Sequence, residues 1–420
     1  MFSSPNRHIS RHRSSRALGL TAALLVGVNL RPAITTVAAT LDEASAALGL
    51  SAVETTVLAT LPVIAFGLSA PLGPWLARRF GVSRVLLWSM VALAAGLVIR
   101  VIWPVLLLPS TFVVGAAIMA AGTLLPQFLK SLGASGLWVG LSSMSFGVGA
   151  ALGASLISPL YAATGDRIDI AWGIWALPAL LAGIPLFLGV QRMRRAGGTQ
   201  TPARAALAFT PRATRTLSML TLVFGLQALL YFAMTAWMPL LLTERGHDTA
   251  QTGWLLAWFS IAGFIPTLLI PIAARTRAVL VWVGPGLGIA IAAGMLALYF
   301  APSEQVFWIV GGLGAVQSAA FGLSISLIVT MSANPATAGV VSAVGQGAGY
   351  ALAGAGSLGI GLLHTVTGGW MVSFVVMSAL GLALSVVVAV AIRRSVVDLV
   401  AAPAAPTDVA QEAPRDLALR

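Results

Sequence analysis

The stretch ALGLTAALLVGVNLRPAITTVAAT, residues 17–40, decides how the chain is read. It is long enough to cross a bilayer core, which takes ~20 mostly apolar residues in a helix. Yet Asn29, Arg31 and Pro32 sit close together inside it. The basic RHISRHRSSR just ahead resembles the start of a secretory signal peptide. Against cleavage, the apolar run carries Arg31 and Pro32 and continues past the usual length of such a core, so it reads as a first membrane span.

Eleven further windows of the same kind follow: 53–76, 85–103, 105–130, 136–161, 171–190, 216–242, 252–274, 278–300, 306–330, 337–362 and 370–392. The 420 residues are 58% hydrophobic and 9% charged, with a mean hydropathy of +0.94, far more apolar than a soluble domain. The fold class expected is an all-α polytopic membrane protein with twelve transmembrane helices. With no cysteine and four scattered histidines, no thiolate or histidine metal site is expected, and no cofactor.

The net charge of +12 acquires its meaning from position. With the N-terminus inside, all but four of the 24 Lys and Arg residues fall before, between or after spans on the cytoplasmic side; the four are Arg31, Arg100, Arg167 and Arg245. The positive-inside rule therefore places both termini in the cytoplasm. The charge orients the protein, and no nucleic-acid partner is expected.

The polar stretch QRMRRAGGTQTPARAALAFTPRATR, 191–215, divides the chain in two. The expected organisation is a basic N-terminus at 1–16, a six-helix bundle at 17–190, a basic cytoplasmic linker at 191–215, a second bundle at 216–392 and a disordered tail at 393–420. The halves repeat at an offset of about 200 residues: GLSSMSFGVGAALG (140–153) aligns with GVVSAVGQGAGYALAG (339–354), and GVN (27–29) with GLQ (225–227). Such duplication is the signature of transporter halves. GLSAVET (49–55) and GHDTAQT (246–252) also correspond, each with a capping box that gives Glu54 and Asp248 structural roles at helix starts. Gly147, Gly149, Gly153, Gly345, Gly347, Gly349 and Gly354 read as surfaces where helices pack closely.

Two six-helix halves with a basic central loop resemble the major facilitator superfamily along nearly the whole chain. GPWLARRFGVSR (73–84) is similar to that superfamily's signature between helices 2 and 3, departing from it at Ala77, where an acid is usual. NLRPAITTV (29–37), LLPQFLK (124–130) and FGLQALLYFAMTAWMPLLLTERG (224–246) resemble the branch of cyanate porters and nitroimidazole transporters. The resemblance implies a non-enzymatic carrier in the bacterial cytoplasmic (inner) membrane, working as a monomer on small, planar or linear polar solutes. Import or export is not decided by it.

Charges within a span cost ~2.5–3.5 kcal/mol on insertion scales and mark function by default. Arg100 and Lys130, near the ends of their spans, are expected to snorkel to the interfaces. Arg31 is too deep for that and cannot shed its proton. All twelve acidic residues lie in loops, at helix starts or in the tail, so no carboxylate in the membrane core is available to pair with it. A conventional carboxylate proton relay is disfavoured for the same reason, leaving Glu54 and His364 as outlying titratable groups. The planar fork of a guanidinium suits a small oxyanion or a linear anion. Arg31 is therefore the expected anion contact, with a bridge between helices as its structural alternative. Gln227 with Tyr231, and Gln346 with Tyr350, share helix faces at i, i+4 spacing and are candidates to complete a pocket or to glue helices. Asn29, Ser145, Gln317 and Trp237 are further candidates.

Overall fold

The computed structural model describes residues 6–195, 209–394 and 396–399. Seventeen α-helices run through them: α1 Asn6–Asn29, α2 Pro32–Ala39, α3 Leu41–Leu48, α4 Ala52–Ser69, α5 Leu72–Phe80, α6 Val82–Ile102, α7 Leu107–Ser131, α8 Gly136–Ala163, α9 Ile168–Gly173, α10 Ala176–Arg195, α11 Pro211–Glu244, α12 Thr249–Ala262, α13 Phe264–Ala273, α14 Arg277–Phe300, α15 Ser303–Thr330, α16 Pro335–Thr367 and α17 Trp370–Ala391. Ten stretches are long and apolar enough to cross a membrane, and α4 with α5, bent by 50° about Ala70–Pro71, make an eleventh. The remaining expected span is α16, 33 residues long, whose glycines, Gln346 and His364 dilute its apolar character. Large apolar side chains such as Val105 (85% exposed) and Trp282 (81% exposed) point outward, as lipid-facing residues do.

Breaks in the spans follow the sequence. Pro32 has no N–H to give to Val28 O, and the first span splits there into α1 and α2. Ser145, Gly149 and Gly153, one turn apart on α8, pack along this break. A Cβ on Gly149 would overlap Val28 O, and one on Gly153 would overlap Thr35 and Pro32. In the second half, Gly349 on α16 meets Phe224 and Gly225 on α11 in the same manner. Of the glycines expected to pack helices, Gly149, Gly153 and Gly349 do so at these crossings. The repeat extends to the turns: Gly49 and Gly246, matched in sequence, both have positive φ, 64° and 91°, which an L side chain rarely adopts. Ser51 and Glu54 form the full capping box of α4, and Asp248 Oδ1 accepts from Gln251 N at 2.7 Å.

Helix α1 begins at Asn6, so the described part of the basic N-terminus continues the first span as helix. The segment after α17 is held in place over residues 396–399, against the disorder expected from 393 onward. Val397 pairs with Ser332 in an isolated parallel bridge, Asp398 accepts from Asn334 Nδ2 at 2.8 Å, and Leu399 N donates to Thr337 Oγ1 at 3.1 Å. Val397 and Leu399 are buried, which offsets the entropy of ordering the segment. Leu399→Asp should lower the melting temperature of the purified protein, since a charge placed there costs roughly 2 kcal/mol or more. The rest of the tail, 400–420, and the linker centre at 196–208 lie outside the described residues.

The halves meet on the side that bears the termini. There α8 crosses α13 so closely that a Cβ on Gly136 or Gly140 would overlap the carbonyls of Pro271 or Leu268. Lys130 Nζ donates to Val329 O at 2.8 Å and Arg275 Nη2 to Ala134 O at 3.1 Å, both across the halves. Lys130 thus bridges the halves as well as sitting near an interface. A further side-chain hydrogen bond between halves is central, from Gln346 Nε2 to Gly122 O at 3.2 Å. The contacts of Gly136, Gly140, Lys130 and Arg275 close the arrangement on the terminal side.

Candidate substrate site

Arg31 occupies the hinge between α1 and α2. Its backbone (φ −118°, ψ −35°) caps α2, and its carbonyl accepts from Ile34 N and Thr35 N at 3.0 and 3.1 Å. The side chain is half-buried. Among the described residues, no carboxylate pairs with its guanidinium and no hydrogen bond occupies it. Across the interface between halves, the phenol of Tyr231 on α11 lies in the same neighbourhood as Arg31, Tyr350 and the Ser260 side chain.

Aromatic rings surround this centre. Tyr350 packs against Phe66 of the first half at 5.4 Å between centroids, and against Phe224 at 5.4 Å and Phe232 at 6.0 Å in its own half. Tyr231 packs on Phe259 at 5.8 Å, and Phe146 faces Phe321 across the halves at 5.9 Å. Edge and tilted contacts of this kind stabilise the packing of these helices around the centre.

The amides divide into those with occupied and those with free groups. Gln346 gives its Nε2 to Gly122 O and to Ser342 Oγ at 2.7 Å. Gln227 Nε2 donates to the Gln317 carbonyl at 3.3 Å. The Gln317 side chain itself is fully buried and neither its Nε2 nor its Oε1 has a partner in the structure. Asn29 Nδ2 donates to Leu25 O and to Pro178 O, tying α1 to α10 at 2.8 and 3.1 Å. Ser145 Oγ turns back to Ser142 O at 2.6 Å, and Trp237 Nε1 donates to Ser357 O at 2.7 Å. Thus Tyr231 and Tyr350 lie near Arg31 at the centre, Gln227 and Gln317 lie next to each other, Asn29 and Trp237 tie helices together, and the Ser145 hydroxyl is spent within α8. Glu54 and His364 are remote: Glu54 is in its capping box, while His364 stacks on Trp370 at 3.9 Å and lies 3.5 Å from Glu244 at the outer ends of α16, α17 and α11.

Sequence reasoning missed Ser260 and the rings Phe66, Phe146 and Phe321. An apolar ring in a span looks the same whether it faces lipid, core or cavity, and only tertiary placement separates these. The repeat held one clue, since Phe146 is the counterpart of Gln346 in the aligned halves.

A pair of repeated helical halves meeting around a polar centre defines a membrane transporter. The chain belongs to the Major Facilitator Superfamily, whose profile matches residues 18–357. It is 29% identical to the 2-nitroimidazole transporter of Escherichia coli over 384 residues, which span 89% of this chain and 94% of that one. It is equally 29% identical to the cyanate transport protein CynX of Escherichia coli over 364 residues, 84% of this chain and 92% of that one. The fold matches the proton:xylose symporter XylE with a TM-score of 0.68 at 14% identity, covering 89% of this chain and 95% of that one. It matches the E. coli fucose:proton symporter FucP with a TM-score of 0.69 at 12% identity, covering 90% and 99%. The protein is a multi-pass carrier of small solutes and not an enzyme.

Proposed function

We propose that this chain carries a small anion of the cyanate type across the bacterial inner membrane by alternating access, with Arg31 as the central contact. The observation that supports the reading is a guanidinium with no acid partner among the described residues, at a broken helix and near the Tyr231 phenol of the other half. A buried anion offered this fork gains charge-assisted hydrogen bonds, and it also removes the cost of an uncompensated cation in the membrane. The side chain of Gln317 and the hydroxyls of Tyr231 and Tyr350 are proposed to complete the shell, and Gln227 and Gln346 to hold its walls. Asn29, Ser145 and Trp237 support the helices that carry it.

By the distribution of basic residues, both termini lie in the cytoplasm. The side closed by Gly136, Gly140, Lys130 and Arg275 is then the cytoplasmic one. Proteoliposomes containing the protein should take up cyanate or nitrite above the background of empty vesicles, and no uptake of any small anion would refute the reading.

The aromatic wall favours one alternative, export of small heteroaromatic compounds such as nitroimidazoles, whose ring would stack while the nitro oxygens meet Arg31. Expression in a sensitive strain should then raise the inhibitory concentration of 2-nitroimidazole, and an unchanged value would count against it.

A further inference from the structure

Arg100 departs from its expected role. Instead of snorkelling to an interface, its side chain is 2% exposed within the first half. Its Nη1 donates to Ala33 O at 3.3 Å, and its guanidinium lies over the Trp172 ring, 4.9 Å from the centroid. Trp172, nearly fully buried on α9, gives its own Nε1–H to Thr40 Oγ1 at 3.0 Å. Ala33 is in the first turn of α2 and Thr40 is its C-cap. One arginine–indole pair thus grips both ends of α2, the short helix that Arg31 caps.

We propose that Arg100, stacked on Trp172, is a positioning residue that fixes the direction of α2 and with it the reach of Arg31 into the central site. The inference rests on the proposed role of Arg31 for its functional consequence, though the ordering of α2 stands without it. An eight-residue helix has little stability of its own, and Pro32 uncouples it from α1. Its direction must come from lateral contacts. On one side α8 lies against Pro32 and Thr35 at Gly153. The Arg100–Trp172 pair supplies another contact through two hydrogen bonds at opposite ends of the helix. Arginine suits the task because its planar group can stack on a ring face and donate from its edge at the same time, and because it stays charged when buried. A lysine offers a point charge that cannot do both.

The chain has no cysteine, so Ala38→Cys, at an exposed position on α2, can carry a single spin label. In purified protein, Arg100→Lys should make that label markedly more mobile while the melting temperature stays near that of the parent. In liposomes, its KM for cyanate should rise about tenfold with Vmax little changed, equivalent to ~1.4 kcal/mol of lost binding. Trp172→Phe keeps a ring under the guanidinium and loses only the bond to Thr40, so it should give a smaller increase in label mobility. Thr40→Val should match it, and the two together should add nothing further. Unchanged label mobility in the folded Arg100→Lys and Trp172→Phe proteins would overturn the proposal. So would a lower melting temperature with mobility and KM as in the parent, which would mean packing alone. If Arg31→Gln transports cyanate with an unchanged KM, the Arg31 role fails, and the label still decides whether the latch exists.

Discussion

Arg31→Ala is expected to cut cyanate uptake sharply while leaving the protein at least as stable as the parent. A charge-assisted hydrogen bond to an anion is worth ~1.5–3 kcal/mol, so losing it should weaken binding about tenfold to 150-fold. Most stabilising side chains show the opposite pattern, in which loss of function accompanies loss of fold. Here no carboxylate among the described residues is left unpaired by the change, and the cost of holding a cation in the span is removed. Arg31→Lys retains charge but not the planar fork, and should transport with a raised KM. Parallel flux and thermal-unfolding measurements check both halves of this expectation.

Gly140→Val is expected to drive the carrier toward the conformation open on its terminal side. The Cβ that valine adds would fall on Leu268 O, and backbone on α13 cannot yield as a flexible side chain would. Overpacking of this kind costs ~1–3 kcal/mol, and more where backbone must move. Because α8 and α13 belong to different halves, separating them relieves the strain, so the penalty falls on the closed state alone. The closed population should drop by roughly fivefold to 150-fold relative to the open one. Ala134→Cys, buried between the halves where Arg275 reaches its carbonyl, reports the change. Its thiol should react slowly in the parent and fast beside Gly140→Val. Equal reaction rates would show that this crossing does not close the carrier.

The contrast between Arg31 and Arg100 shows what the sequence could reveal. Both are arginines inside spans. For Arg31, the inventory of acids suffices to expect an unpaired charge, since that is a compositional fact. For Arg100, the partners are Ala33 and Trp172, distant in sequence and brought near only by the packing of α2 and α9 against α6. Hydropathy places Arg100 near a membrane boundary, and from there snorkelling is the natural expectation; α9, which shields it, is too short to show a clear period. The Gln/Tyr pairs illustrate a second limit. Spacing put each pair on one helix face, as the structure has them, but could not tell that the Gln346 and Gln227 amides would be spent on neighbouring backbone while Gln317 was left unpaired. Glycine crossings were legible because a missing side chain in a lipid-embedded helix has few other uses.

Thermal unfolding of the purified protein and of Arg31→Gln, each with a panel of small anions and with 2-nitroimidazole, tests the central claim most directly. A ligand that binds only the folded state stabilises it as its concentration exceeds Kd, whatever the direction of transport or the coupling ion. At least one small anion is expected to raise the melting temperature of the parent and to leave that of Arg31→Gln unmoved. Equal stabilisation of both proteins by that anion, or of neither by any anion in the panel, would contradict it.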